Sequence, residues 1–224
     1  WMDSVDPAHG AVIGRVPLGT AADVERAVAA AQRAQPGWAA LSVAQRAAHM
    51  NRLADAIAAN AQALLVLEVA DSGNSITGMK GDIASAVERL RYFAGLGYEL
   101  QGSTIPGSED RLNLTWREPY GVVGRIGAFN HPIAMAVNGI AAALMAGNTM
   151  VLKPSEQCSL STALLGDLSR EALPPGVLNV VTGAQDVGSA IVRHPRVKRL
   201  SFVGSEPTGR AIQRSAAEVA VKAV

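Results

Sequence analysis

From Tyr120 onward the sequence keeps one rhythm, a short apolar run, then a polar or glycine-bearing turn, then a helix-length stretch. The apolar runs are Val122 to Gly127, Thr149 to Leu152, Val177 to Val181 and Leu200 to Val203. The helical stretches after them cover about 132–146, 159–172, 186–193 and 207–218. Strand–helix alternation of this kind predicts right-handed βαβ units, and so an α/β fold with an open parallel sheet and helices on both faces. Ligands of such sheets sit at the carboxyl ends of the strands. The turns after Gly127, Leu152, Val181 and Val203 are therefore where chemistry is sought. The last residues, Ala220-Val-Lys-Ala-Val224, read as a fifth strand cut off in mid-course.

The preceding residues read differently. Residues 5–16 suggest short strands or an extended arm. A helix is predicted after Thr20, where Thr20 and Asp23 make a capping-box-like pair. A second is predicted from Ser42, with Gln45 three residues on, continuing through Leu64, Leu65 and Leu67. A third is expected over about 82–100. The 103–119 stretch, with Leu112-Asn-Leu-Thr-Trp-Arg, alternates apolar and polar residues and reads as a strand or half a hairpin. One β-segment forms no sheet alone, so its partners are expected from sequence outside this chain or from another subunit.

Composition narrows the function classes. A hydrophobic share of 49% with mean hydropathy +0.17 supplies a core and excludes a disordered tail. Twenty basic against nineteen acidic residues leave +1, so no basic field exists for nucleic acid or an anionic membrane. The longest near-apolar run, Ile133 to Ala146, is shorter than the roughly 20 residues of a membrane helix. The first twenty residues carry Asp3, Asp6 and Arg15 and no export-signal core, and a cytoplasmic location is expected. The chain opens on Trp1, and both ends read as incomplete. The single cysteine, Cys158, rules out an internal disulfide and a multi-cysteine metal site.

Three of the four turns carry two readings. In Gly127-Ala-Phe-Asn-His-Pro132, Asn130 is either a helix cap or an oxyanion donor. In Leu152-Lys-Pro-Ser-Glu156, Lys153 and Glu156 are either a surface ion pair or a bracket for a ribose, whose hydroxyls a carboxylate accepts. In Val181-Thr-Gly183, and at Gly188 beyond it, glycine serves a tight turn and close packing. Phe202-Val-Gly-Ser-Glu-Pro-Thr-Gly209 reads as a helix N-terminus suited to an anion, or as ordinary capping.

Several patterns are set aside. Gly121-x-x-Gly124-x-x-Gly127 is not the dinucleotide fingerprint, and Gly73-x4-Gly78-Met-Lys80 misses the P-loop because its Lys falls one residue late with no Ser or Thr after it. Histidines 9, 49, 131 and 194 are scattered, so no metal site is expected. No G-x-S-x-G supports a hydrolase triad.

The motifs stand in a consistent order. They are Gly37-Trp38 with Arg46, Arg117-Glu-Pro-Tyr-Gly-Val-Val-Gly, Phe129-Asn-His-Pro, Ala146-Gly-Asn-Thr with Lys153-Pro-Ser-Glu, Leu173-Pro-Pro-Gly-Val-Leu-Asn-Val-Val-Thr-Gly, and Phe202-Val-Gly-Ser-x3-Gly209. Together they resemble the N-terminal half of the aldehyde dehydrogenase superfamily over nearly the whole chain. The resemblance implies a helical N-terminal part of the cofactor-binding domain over 1–102, an oligomerisation arm over 103–119, and a Rossmann-like NAD(P)-binding part over 120–224. It implies that Asn130 is the oxyanion asparagine, and that Lys153 and Glu156 hold the adenosine ribose with Ser155 beside them. Ser205, after Gly204, would contact the pyrophosphate, with Gly209 letting the helix approach. Ile126, Ala128 and Phe129 would line the cofactor cleft, and Gly188 and Phe202 join the candidate cofactor-binding residues. NAD is the expected cofactor, with NADP open, since the Glu156 charge opposes a 2′-phosphate.

The implied reaction oxidises a small aldehyde in a homodimer or homotetramer. A thiolate attacks the carbonyl, the oxyanion is held by Asn130 and a backbone N–H, hydride leaves to the nicotinamide, and an activated water hydrolyses the thioester. The family's base, in a Glu-Leu-Gly-Gly segment, is expected just beyond Val224, and its cysteine further on. Cys158 matches neither position and reads as a small residue packed at a helix start. The alternatives are a non-catalytic cofactor-binding or assembly module, and a CoA-acylating or semialdehyde dehydrogenase.

Overall fold

A computed structural model describes residues 1–219 and the backbone of 222–223. The apolar runs form the strands β5 (Val122–Ile126), β6 (Thr149–Lys153), β7 (Leu178–Val180) and β8 (Val197–Phe202) of one parallel sheet. Its edge strand β9 (Lys222–Ala223) pairs with β8, while Ala220, Val221 and Val224 of the predicted fifth strand lie outside the described residues. The order is β7-β6-β5-β8-β9. The chain thus walks outward from β5 through β6 to β7, then crosses back to lay β8 on the other side of β5. That reversal opens a crevice above the carboxyl ends of β5 and β8.

Helices cover both faces, as strand–helix alternation predicts: α5 (Pro132–Met145) and α6 (Leu160–Ala172) on one, α7 (Gln185–Val192) and α8 (Glu206–Glu218) on the other. Alternation along β6 divides the core in two. Met150 and Leu152 join the core under α5 and α6, and Val151 joins the core under α7. Gly124 explains why the glycines of β5 are not a nucleotide fingerprint. A Cβ there would stand 2.6 Å from Ile191 Cγ2 and 2.8 Å from Leu200 Cδ2, so glycine lets α7 close on the strand. Arg125, next along, faces the other side and is buried against Gly139 of α5.

The N-terminal part adds a hairpin, β1 (Met2–Val5) with β2 (Val12–Val16), and four helices: α1 (Ala21–Ala40), α2 (Val43–Ala59), α3 (Ala61–Ser72) and α4 (Ile76–Gly95). The capping boxes at Thr20/Asp23 and Ser42/Gln45 are both present. Three boundaries differ from expectation. The stretch from Ser42 is two helices bent by 70° at Asn60, whose side chain turns back to the Ala56 carbonyl at 2.9 Å. Helix α4 begins at Ile76 rather than near 82, because Ser75 caps it by accepting from Gly78 N–H; Gly78 and Gly81, poor helix formers, hide that start. The 103–119 segment supplies its own partner, β3 (Ser103–Ile105) pairing antiparallel with β4 (Asn113–Thr115) through a turn in which Arg111 N–H meets the Ser108 carbonyl at 3.0 Å. Both strands are exposed along their length. No single helix among the described residues is long and apolar enough to cross a membrane.

Candidate functional site

Three strand ends lie side by side at the crevice, since Ile126 is in register with Lys153 on β6 and with Phe202 on β8. Gly127 N–H donates to the Lys153 carbonyl at 2.9 Å, which ties the β5 turn to the β6 turn. The Lys153 side chain is only 4% exposed, yet its ammonium donates to the Pro154 carbonyl and to Glu156 Oε2, each at 3.0 Å. Glu156 keeps 46% of its side chain exposed. Partial burial pushes the Glu156 carboxyl up, but a hydrogen bond from its own backbone and the Lys153 ammonium outweigh that and hold it below the ordinary value. Ser155, half-buried between them, accepts from Gln157 N–H. The ion pair is thus rooted inside the sheet, with one carboxylate edge facing outward. A Cβ on Gly188 of α7 would stand 3.7 Å from Lys153 Cδ and 3.9 Å from Ile126 Cδ1, so Ile126, Lys153 and Gly188 form one wall.

The β8 turn faces the same edge. Ser205 is the N-cap of α8, with Pro207 in its first turn. Its hydroxyl pairs with Thr208 Oγ1 at 2.9 Å and makes no cap hydrogen bond. The N–H groups of Glu206 and Thr208 have no partner among the described residues. A Cβ on Gly204 would stand 2.8 Å from Phe202 Cε2, and one on Gly209 3.4 Å from Phe202 Cε1. Two glycines therefore make room for one ring beside the helix end.

The β5 turn stands between those two. Ala128 is half-buried; Phe129 and Asn130 are exposed. The helix cap of α5 is His131, whose side chain makes no cap hydrogen bond, so the capping reading of Asn130 is not borne out. No hydrogen bond among the described residues joins Asn130 to Lys153, Glu156 or Ser205. Its carbonyl instead accepts from Asn74 Nδ2 at 2.7 Å. Asp82 Oδ2 meets His131 Nδ1 at 2.6 Å, and Glu68 Oε1 accepts from Ile133 N–H at 3.1 Å. Arg125, on β5, reaches α5 and β8, donating to the Met135 carbonyl at 3.1 Å and to Ser201 Oγ at 2.6 Å.

Glu68, Asn74, Asp82 and Arg125 were not among the residues singled out from sequence. Glu68 breaks the apolar stretch Leu64–Ala70 and Asp71 ends it, a signal that a buried polar role exists there; Asn74 carries no such signal. Glu68 is fully buried, and its carboxyl is raised to about 7 by burial, with Asp82 and Asp71 adding to the effect and Ser161 and the Ile133 amide opposing it. Its Oε2 stands near enough to the Ser161 hydroxyl to feel that dipole, but the two do not reach hydrogen-bond geometry and neither atom has another partner among the described residues. Cys158 lies just before α6, 4% exposed, its thiol donating to the Asp71 carbonyl at 3.1 Å. Burial, then the charges of Asp71 and Glu68, push that thiol up to about 12. Among the described residues no three His, Cys, Asp or Glu side chains form a metal-binding group.

Similarity to known proteins agrees with this geometry. The profile of the aldehyde dehydrogenase family matches residues 1–224. The aldehyde dehydrogenase tropH of Talaromyces stipitatus is 38% identical over 217 residues, which are 96% of this chain and 42% of that protein. The NAD+ complex of an aldehyde dehydrogenase from Bacillus cereus superposes with TM-score 0.96 at 38% identity, over 99% of this chain and 46% of the other. An NADP-dependent enzyme of E. coli superposes with TM-score 0.97 at 36% identity, over 99% and 47%. The chain spans less than half the length of each of these relatives. With a matching profile from end to end and the same fold in both solved relatives, this chain belongs to the aldehyde dehydrogenase family.

Proposed function

We propose that this chain is the cofactor-binding portion of an enzyme that oxidises an aldehyde to a carboxylic acid with NAD, and that it contributes the oxyanion donor Asn130. The observation that carries the reading is the Lys153–Glu156 pair, a buried ammonium holding an outward carboxylate at the carboxyl end of β6. A carboxylate so held accepts hydrogen bonds from vicinal ribose hydroxyls and opposes a 2′-phosphate. Ile126, Gly188 and Phe202 form the wall beside it. The N–H groups at the start of α8 that have no partner among the described residues, with Ser205, suit a pyrophosphate, and Gly204 and Gly209 let it come close. The residues present therefore fit a dinucleotide. When bound, its nicotinamide accepts hydride from the substrate carbon.

On this reading the chain's own residues bind and orient. The Lys153 ammonium fixes the Glu156 carboxylate, Ala128 and Phe129 border the cleft, and the exposed Asn130 amide donates to the oxygen that gains charge when a thiolate adds to the carbonyl. That thiolate is not Cys158, which is buried and protonated. The nucleophile and the hydrolytic base come from residues outside this sequence. We assign 1–102 to the helical part of the cofactor-binding domain, 103–119 to an arm between subunits of a homodimer or homotetramer, and 120–224 to the cofactor sheet.

The test is the dissociation constant of NAD and of NADP for the protein carrying this chain and for Glu156→Gln. The wild type is expected to prefer NAD, and the variant to lose about tenfold or more of that preference, through weaker NAD and better-tolerated NADP. An unchanged ratio would refute the role of Glu156.

A further inference from the structure

The turn that carries Asn130 is poorly fixed by its own sequence. The N–H groups of Ala128, Phe129, Asn130 and His131 enter no hydrogen bond among the described residues, and the His131 side chain makes no cap hydrogen bond to α5. An oxyanion donor in such a turn needs support from elsewhere, because preorganisation is what makes it effective. The hydrogen bonds that reach residues 130–133 from outside α5 come from the helical layer: Asn74 to the Asn130 carbonyl, Asp82 to His131, and Glu68 to the Ile133 amide. Of these only Asn74 touches Asn130 itself.

Asn74 is in turn held in place. Gly73, at φ +72°, ends α3 in the left-handed conformation, and a Cβ there would stand 2.8 Å from Pro7 Cγ. Ser72 Oγ donates to the Glu68 carbonyl at 2.6 Å and accepts from Asn74 N–H at 3.2 Å. The loop between α3 and α4 thus presents the Asn74 amide in one direction.

We propose that Asn74 is the positioning residue of the oxyanion donor, its amide fixing the 130–131 peptide so that the Asn130 side chain is left free in a single orientation. The proposal rests on the assignment of Asn130 above. Because Asn74 acts through Asn130, its loss lowers kcat and leaves cofactor binding alone, and it costs nothing further once the Asn130 amide is gone.

The experiment is a double-mutant cycle in the whole protein, with kcat, KM for NAD and thermal midpoint read for each variant. Asn130→Ala is expected to lower kcat on the order of 10²–10³-fold. Asn74→Ala should lower it by about tenfold or more, as small misplacements of a reacting group do, with KM for NAD within about twofold. Added to Asn130→Ala, Asn74→Ala should change kcat by less than about threefold. Asn74→Asp keeps the shape, turns an acceptor toward the carbonyl, and should lose at least as much as Asn74→Ala. A wild-type kcat in either Asn74 variant, or full multiplicative losses in the double variant, overturns the proposal and leaves the oxyanion assignment standing. A loss of tenfold or less in Asn130→Ala removes that assignment, and the proposal with it.

Discussion

Lys153, the last residue of β6, and Cys158, five residues on, are both buried, and burial acts on them in different company. Lys153 is buried with a carbonyl and a carboxylate on its ammonium, so its charge is compensated where it sits. Cys158 is buried among acceptors and two carboxyl groups, which disfavour a thiolate. A thiol raised to about 12 leaves about one part in ten thousand as thiolate at pH 8. Cys158→Ala is therefore expected to change kcat by less than about twofold. In the native protein Cys158 should resist iodoacetamide at pH 8, as peptide mass mapping would read; rapid native labelling would contradict it. Lys153, Glu156 and Ser205 stand out as candidates in the sequence because they lie at or just after the end of an apolar run, where the fold class puts ligands. Asn74 and Asp82 lie outside those turns, and their relation to Asn130 exists only once α3 and α4 pack beside α5.

At the scale of elements, α5 is gripped at both ends by the helical layer. At its C-terminus Trp38 Nε1 donates to the Leu144 carbonyl at 2.9 Å and Arg46 Nε to the Met145 carbonyl at 3.0 Å, which satisfies carbonyls that a helix end leaves free. The Trp38 anchor also shows why α1 runs on through Pro36 to Ala40, since burying that indole holds the last turn. At the N-terminus of α5, Glu68 replaces the missing local cap from a distance. Its carboxyl titrates at about 7 in the folded protein against 4.5 for the ordinary group. Between those values the unfolded chain is ionised while the native one holds a proton, so stability falls as pH rises from about 4.5 to 7 and is level beyond. At 1.36 kcal/mol per unit the full penalty is about 3 kcal/mol. Glu68→Gln keeps an acceptor for Ile133 N–H and cannot ionise. It is expected to leave stability at pH 4.5 nearly unchanged and to raise it at pH 8, as denaturant midpoints at the two values would measure. Equal shifts at both would contradict a titrating Glu68. The strands were legible because buried parallel strands are continuous apolar runs. The break at Asn60 and the early start of α4 were not, because both depend on side chains turning back onto their own backbone.

At the scale of the whole molecule, two cores share one sheet, and the β3–β4 hairpin belongs to neither. Ile105, Leu112, Leu114 and Trp116 are 47%, 73%, 46% and 66% exposed. The alternation that predicted a strand here was sound, but the expectation that its partner strand lies outside this chain or on another subunit was not, since β3 and β4 pair with each other. What the sequence concealed was that the turn around Ser108 and Asp110 lets the segment pair with itself first. A two-stranded ribbon with large apolar side chains on open faces is not stable in water by itself. An exposed apolar cluster of this kind marks an interaction surface. If the arm stands between subunits, as proposed above, a second copy of the chain would bury these side chains. Leu114→Asp combined with Trp116→Ser removes the apolar contact and adds a charge that a buried interface would have to desolvate. In sedimentation velocity the wild-type protein should run as a dimer or tetramer and the double variant as a smaller species. Both positions lie outside the two cores, so the variant's own fold should be altered by no more than about 0.5 kcal/mol per surface substitution. A variant that keeps the wild-type sedimentation coefficient at sub-micromolar concentration would show that the hairpin lies outside the subunit contact, and the apolar side chains on it would then need another partner.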